Sequence, residues 1–293
     1  MNENKLFDSF FQGRALDLLL QGIDLALEED GPDLTSEAVF PGEETLQATV
    51  VAKASGIIAG LPLIGLILEG AGPSGHEALI EILADEGSRV VPGQEICFLR
   101  GSAPLLLKAE RVVLNYLTHL SGIATLTDGF VQALRGTRTQ LLDTRKTLPG
   151  LRYPEKYAVR MGGGHNHRLN LTHMLMLKDN HIDRAGSITS AVAKLRAAYS
   201  PCPPIEVECR TRDHVQEAVT AKVDRIMLDN MDAQGITASL ALIPEEIESE
   251  ISGGVTLDNL PQLGSLGADF ISVGCLTNSA PVLDMSMRLG SGL

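Results

Sequence analysis

Apolar side chains recur at 16, 19, 20, 23 and 27 in the segment RALDLLLQGIDLALEE (14–29), a one-faced spacing that predicts a helix stopped by Gly31-Pro32. Residues 45–54 (TLQATVVAKA) and 94–100 (QEICFLR) alternate or run apolar as strands do. Gly60-Leu61-Pro62 opens a short helix, and helical spacing returns from Ala103 to Phe130, as one helix or as two broken near Ser121-Gly122. These elements make the first part of the chain an α+β unit.

The second part has a rhythm. Short apolar runs end in one special residue and are followed by amphipathic stretches: LMLK at Lys178, IEVE at Glu208, RIMLD at Asp229, SEIS at Ser252-Gly253-Gly254, and FISVG at Gly274. The last four markers are 21, 23 and 22 residues apart, about the length of one strand, turn and helix in an α/β barrel. A strand buried on both faces reads as such a continuous run. In a parallel barrel the strand ends share one mouth, so Lys178, Glu208 and Asp229 are expected to converge on one pocket. The glycine-rich ends at Ser252, Gly253, Gly254 and Gly274 offer backbone N–H groups of the kind that bind phosphate.

Charge sharpens this. Residues 143–184 carry eight Lys/Arg (145, 146, 152, 156, 160, 168, 178, 184) against four acids (143, 155, 179, 183), a net of +4 in a chain of formal charge −13, so the rest sums to −17. Four of seven histidines (165, 167, 173, 181) lie there, around Gly162-Gly163-Gly164. A cationic cluster on an acidic protein suits a small, multiply charged anion. Aromatics at 4%, no Trp and a pI near 5.0 argue against nucleic acid as partner. The most apolar run, Gly56 to Leu68, is 13 residues and contains Pro62, too short to span a bilayer. Four scattered cysteines form no C-x-x-C, and Met1 to Phe11 lacks a signal-peptide layout, so a cytoplasmic protein is expected.

Taken singly, the cationic residues are ambiguous. Asp143-Thr144-Arg145-Lys146-Thr147 follows the apolar Leu141-Leu142, yet alone it reads as a solvated charge run. Three consecutive glycines mark tight backbone, close ligand approach or a loose surface loop. His167, beside Arg168 and near Lys178, is a candidate donor to an anion. Lys178, if inward-facing, needs a counter-charge. Glu208 and Asp229 suggest either a divalent cation, which hard oxygen ligands suit, or salt bridges within the pocket.

Together the segments are more specific. ERVVLN (110–115), LSGIAT (120–125), DTRKT-x-PGLR (143–152), EKYAVR-x-GGG-x-NHR (155–168), LKDNHI (177–182), EVE (206–208), IMLDN (226–230), SGG (252–254) and ISVG (271–274) resemble quinolinate phosphoribosyltransferase, in order along nearly the whole chain. The resemblance implies an N-terminal α+β domain (1–112, with the tail from about 280 to 293 returning to it) packed with an incomplete, TIM-like α/β barrel (113–293). It implies a homodimer with a shared active site, Mg²⁺ as cofactor, and transfer from phosphoribosyl pyrophosphate to quinolinate, giving nicotinate mononucleotide, pyrophosphate and CO₂. It further implies that Arg145, His167, Arg168 and Lys178 hold the quinolinate carboxylates, with Arg111 reaching in from the partner subunit. Lys146 would face the pyrophosphate, Glu208 and Asp229 the ribose and Mg²⁺, and Ser252, Gly253, Gly254 and Gly274 the 5′-phosphate. Three departures stand out: Asn278 where the family often has histidine, Leu148 in place of threonine, and Leu169 to His173 after the Asn-His-Arg motif.

Overall fold

A computed structural model describes residues 3–40, 44–72 and 78–290; Met1, Asn2 and residues 291–293 of the tail lie outside them. In chain order come α1 (Glu3–Phe10), α2 (Arg14–Asp30), α3 (Leu34–Val39), β1 (Thr45–Ala52), β2 (Gly56–Ile57), α4 (Leu63–Ala71), β3 (Leu79–Ile82), β4 (Arg89–Val90) and β5 (Glu95–Ser102). Then follow the long helix α5 (Ala103–Ala133), β6 (Gln140–Leu142), α6 (Arg152–Met161), β7 (Leu175–Leu177), α7 (Asp179–Ala185), α8 (Ile188–Ala198) and β8 (Ile205–Cys209). The last are α9 (Arg212–Thr220), β9 (Arg225–Asp229), α10 (Ala233–Leu240), β10 (Glu248–Ser252), α11 (Leu260–Gly264), β11 (Phe270–Ser272), α12 (Cys275–Asn278) and β12 (Met285–Gly290).

The chain forms two compact units. The first comprises Met1–Asp128, Thr147–Gly163 and Leu276–Leu293, and the second Gly129–Lys146 and Gly164–Cys275. This differs from a single cut at residue 112. Such a cut would sever α5, and besides the tail, whose return is among the expectations, residues 147–163 belong to the first unit.

In the first unit α2 buries Ala15, Leu19, Ile23 and Leu27, one residue per turn; of the expected face, Leu19, Ile23 and Leu27 are buried, Leu16 is half-buried and Leu20 is exposed. An antiparallel sheet in the order β12-β1-β5-β3 supplies the α+β character, with the tail strand β12 paired to β1 from Gln47↔Gly290 to Ala52↔Met285. Helix α5 continues straight through Ser121-Gly122. The glycine there is explained by packing, because a methyl group on Gly122 would run into the Pro281 carbonyl. Ser121 is fully buried, and its hydroxyl accepts the Ala59 N–H at 2.9 Å.

The second unit is an incomplete α/β barrel. Its six parallel strands lie in the order β6-β11-β10-β9-β8-β7, against eight in a closed barrel. The strand β8 is buried at all five positions although its sequence alternates apolar and acidic residues, Ile205-Glu206-Val207-Glu208-Cys209. Three of the outer helices, α8, α9 and α10, are started by a side chain that accepts a backbone N–H. Ser187 caps α8 through Ser190 at 3.0 Å, Thr211 caps α9 through His214 at 3.2 Å, and Asp232 caps α10 through Gly235 at 2.7 Å. Each such cap contributes about 1 kcal/mol and fixes where the strand-to-helix loop ends.

Candidate active site

Side chains alternate along a strand, so residues two apart face the same way. Met176 and Lys178 at β7, Met227 and Asp229 on β9, and Glu208, Ser252 and Ser272 on β8, β10 and β11 line one cavity of about 450 Å³ at the C-terminal ends of the strands. That volume suits a small-molecule ligand. The segment leaving β6 adds Thr144, Arg145 and Lys146, and His167 and Arg168 come from the stretch after α6. Four of the eight cations between 143 and 184 therefore meet in one place. Of the others, Arg152, Lys156 and Arg160 belong to the first unit, and Arg184 lines a separate cavity.

Local order behind the cations comes from Asp143, fully buried at the end of β6. Its carboxylate accepts the His167 backbone N–H at 2.8 Å and the Asn166 side-chain amide at 2.6 Å. The Arg168 guanidinium donates to the Met174 carbonyl at 2.9 Å. Burial and the neighbouring Arg145 together lower the Arg168 pKa, the cost of packing like charges in a partly dry site.

The carboxylates are paired within the pocket. Glu208 lies 2.7 Å from Lys178 and 3.5 Å from Arg210. Arg210 also approaches Asp179 at 3.0 Å and Asp229 at 3.9 Å, and Asn230 donates to Asp229 at 2.9 Å. A dedicated all-protein cage for a metal is therefore not formed by Glu208 and Asp229. Their hard oxygens fit an Mg²⁺ that keeps substrate phosphates and water among its ligands, as this ion commonly does.

Glycine has a steric reason at two predicted positions. Gly253 has φ +92°, and a Cβ there would collide with the Asn230 side chain. At Gly274 a Cβ would stand 2.9 Å from Lys146 Cδ, so the lysine stem lies directly over it. Within the triple glycine, a methyl on Gly162 would strike the Ala124 carbonyl, and Gly163 has φ +84°.

His167 is the residue whose role the geometry refines. Its Nδ1 accepts the Arg168 backbone N–H at 2.7 Å, while Nε2 lies 3.0 Å from Glu206 and 3.4 Å from Glu250. Burial opposes a charged ring, yet the two carboxylates outweigh it and raise the His167 pKa to about 9. That second proton would have to sit on Nδ1, where the Arg168 N–H already points. With Nδ1 accepting that N–H, the ring is the neutral tautomer that carries its proton on Nε2. Glu206, Glu250, Arg225 and Arg210 were not singled out in the sequence. The first two share strand parity with Glu208 and Ser252, which was the available signal.

The remaining expectations fall outside the cavity. Arg111 is an exposed residue of α5 in the first unit. Asn278 and Leu148 are also exposed and belong to the first unit. The divergent loop is closed on itself, since Asn170 Oδ1 accepts the N–H groups of Thr172 at 3.0 Å and His173 at 3.1 Å.

Family models for the N-terminal and C-terminal domains of quinolinate phosphoribosyl transferase match residues 33–121 and 123–288. The chain is 44% identical over 262 residues to a probable carboxylating nicotinate-nucleotide pyrophosphorylase of Bacillus subtilis, covering 89% of each. It is 37% identical over 272 residues to the human carboxylating nicotinate-nucleotide pyrophosphorylase, covering 91% of this chain and 90% of that one. The solved structure of the Francisella tularensis nicotinate-nucleotide pyrophosphorylase matches with a TM-score of 0.87 at 32% identity, over 94% of this chain and 96% of that one.

Proposed function

The chain belongs to the quinolinate phosphoribosyltransferase family and carries out decarboxylating phosphoribosyl transfer to quinolinate in NAD biosynthesis, and we propose that the barrel-mouth cavity is where this happens. One observation carries the reading: Arg145, Arg168 and Lys178, from three separate segments, line the same cavity as Glu208 and Asp229. Quinolinate brings two carboxylates and phosphoribosyl pyrophosphate several more negative charges, so a mouth built of cations is proportionate. Arginine forks suit carboxylates and stay charged when partly dry.

In this reading Arg145, Arg168 and Lys178 hold the two carboxylates, backed by His167, and Arg111 of the partner subunit completes the site in a homodimer. Lys146 faces the pyrophosphate, and the loops at Ser252, Gly253, Gly254 and Gly274 cradle the 5′-phosphate. Quinolinate then stands in line with the ribose, and much of the rate comes from that alignment. As the C–O bond to pyrophosphate breaks, positive charge grows at the anomeric carbon. Glu208 and Asp229 orient the ribose hydroxyls and favour that charge, while Lys146 meets the departing oxyanion. Mg²⁺, held through Glu208 and Asp229 together with the substrate, would neutralise the leaving group. Once the ring nitrogen is ribosylated, its positive charge stabilises the carbanion left by loss of the adjacent carboxylate as CO₂. No protein nucleophile is needed.

Among the described residues no helix is long and apolar enough to cross a membrane, and a cytoplasmic location goes with this reading. Purified protein given quinolinate, phosphoribosyl pyrophosphate and Mg²⁺ is expected to release CO₂ and form nicotinate mononucleotide in equal amounts. No product at millimolar substrate would overturn the assignment.

A further inference from the structure

Beneath the cavity floor the barrel contains a second layer of charge. Glu206 precedes Glu208 by two residues on β8, and Glu250 precedes Ser252 by two on β10, so strand parity turns both inward. Both are fully buried. Arg225 on β9 approaches Glu250 at 3.4 Å, is held by Glu248 at 2.7 Å, and stacks on the Phe270 ring at 4.3 Å. Neither Glu206 nor Glu250 belongs to the cavity wall.

Stability does not explain this layer. Burying carboxylates is costly, and well-packed apolar replacements of buried ion clusters are often as stable or more so. What the two carboxylates share is His167, whose Nε2 is 3.0 Å from one and 3.4 Å from the other. The opposite ring nitrogen accepts the backbone N–H of Arg168 at 2.7 Å, and Arg168 lines the cavity. A continuous path thus runs from the buried pair through one imidazole to the backbone of a substrate-facing arginine.

We propose that Glu206 and Glu250 are positioning residues: they hold the Nε2 proton of His167, which leaves Nδ1 as the acceptor that sets Arg168 for the anionic ring substrate. The proposal rests on the reading that Arg168 holds a quinolinate carboxylate. It assigns His167 to the support of the site and not to direct contact with substrate, because Nδ1 accepts the Arg168 N–H and Nε2 faces the two buried carboxylates at 3.0 and 3.4 Å. The same three side chains offer ligand atoms within 4.8 Å of one another, a spacing a transition metal could also use, so the test must separate the two.

The experiment compares steady-state kinetics of wild type, Glu206→Gln, Glu206→Met, Glu250→Gln and Glu250→Met, with thermal midpoints and metal content of each purified enzyme. The Met variants should raise the KM for quinolinate by about tenfold, the loss of one buried hydrogen bond to a charged group. The Gln variants should raise it less, because the amide oxygen still accepts the Nε2 proton. The KM for phosphoribosyl pyrophosphate should stay within about twofold, and the thermal midpoints of the Met variants should fall, because each removes one partner of a buried cluster and leaves the others uncompensated. Equal changes in both KM values, or no change in either with the fold intact, would overturn the proposal. So would a stoichiometric transition metal in wild type that Glu206→Gln loses. If the Met variants fail to fold, the Gln pair alone decides by the split between the two KM values. A wild type that never turns over quinolinate would remove the underlying reading itself, a failure distinct from a wild type that is active beside unaffected variants.

Discussion

The barrel interior holds two layers of charge a few residues apart on the same strands, and they differ in what they can give up. At the mouth, Lys178 and Arg210 are about half exposed while paired to Glu208, Asp179 and Asp229. The cationic ends of these pairs are open to water while Glu208 is 9% exposed, so they are more screened than the pairs beneath and a multiply charged substrate can compete for Lys178 and Arg210. One layer down, Glu206 and Glu250 are fully buried and His167 nearly so. Removing one partner there leaves another charge or proton without compensation, so that layer holds its geometry while the mouth exchanges partners. Similar side chains bind when water reaches them and position when it does not.

The comparison makes its largest prediction at the mouth. Arg145→Ala and Lys178→Ala should each lower kcat/KM for quinolinate by about 100-fold, since each leaves a substrate carboxylate poorly paired in a partly dry site. Thermal stability should change little for the half-exposed Lys178. Steady-state kinetics beside thermal melts checks both halves, and unchanged quinolinate kinetics in either variant would break the contrast.

The mouth was largely legible because its residues sit where strands end. A short parallel strand buried on both faces reads as an apolar run, and the first polar residue after it marks the exit; this found Lys178, Glu208, Asp229 and Ser252 without a structure. The lower layer was not legible in that way, because Glu206 and Glu250 interrupt the runs that were being read as apolar. Parity with Glu208 and Ser252 would have turned them inward. Of the four clustered histidines only His167 was singled out, and it reaches the cavity wall, whereas His181 caps α7 by accepting the Lys178 N–H at 3.0 Å, and His173 is exposed. The unit boundaries were hidden because α5 crosses one of them as a continuous helix.

A smaller effect tests whether the mouth is completed from outside the subunit. Arg111→Ala and Lys178→Ala homodimers should both be nearly inactive. Mixing them with subunit exchange should restore about a quarter of wild-type activity, because half of the dimers are mixed and each has one intact site. Exchange can be followed with differently tagged chains. No recovery in exchanged mixtures would confine the mouth to the residues of one chain.

The smallest effect concerns the lower layer and separates its two protonation states. If His167 carried a second proton with its pKa raised to about 9, the folded state would bind that proton more tightly than the unfolded chain, whose histidine titrates near 6.5. The resulting stabilisation, of order 3 kcal/mol, would be fully present below about pH 6.5 and lost as pH rises through 9. The Arg168 N–H occupying Nδ1 argues for the neutral Nε2–H ring, in which no such proton is released. The stability difference between wild type and His167→Gln, measured by denaturant unfolding, should therefore stay level from pH 6.5 to 9. A difference that shrinks steadily over that window would mean the ring is charged and Nδ1 a donor, and the link from the buried carboxylates to Arg168 would have to run through charge instead of a backbone hydrogen bond.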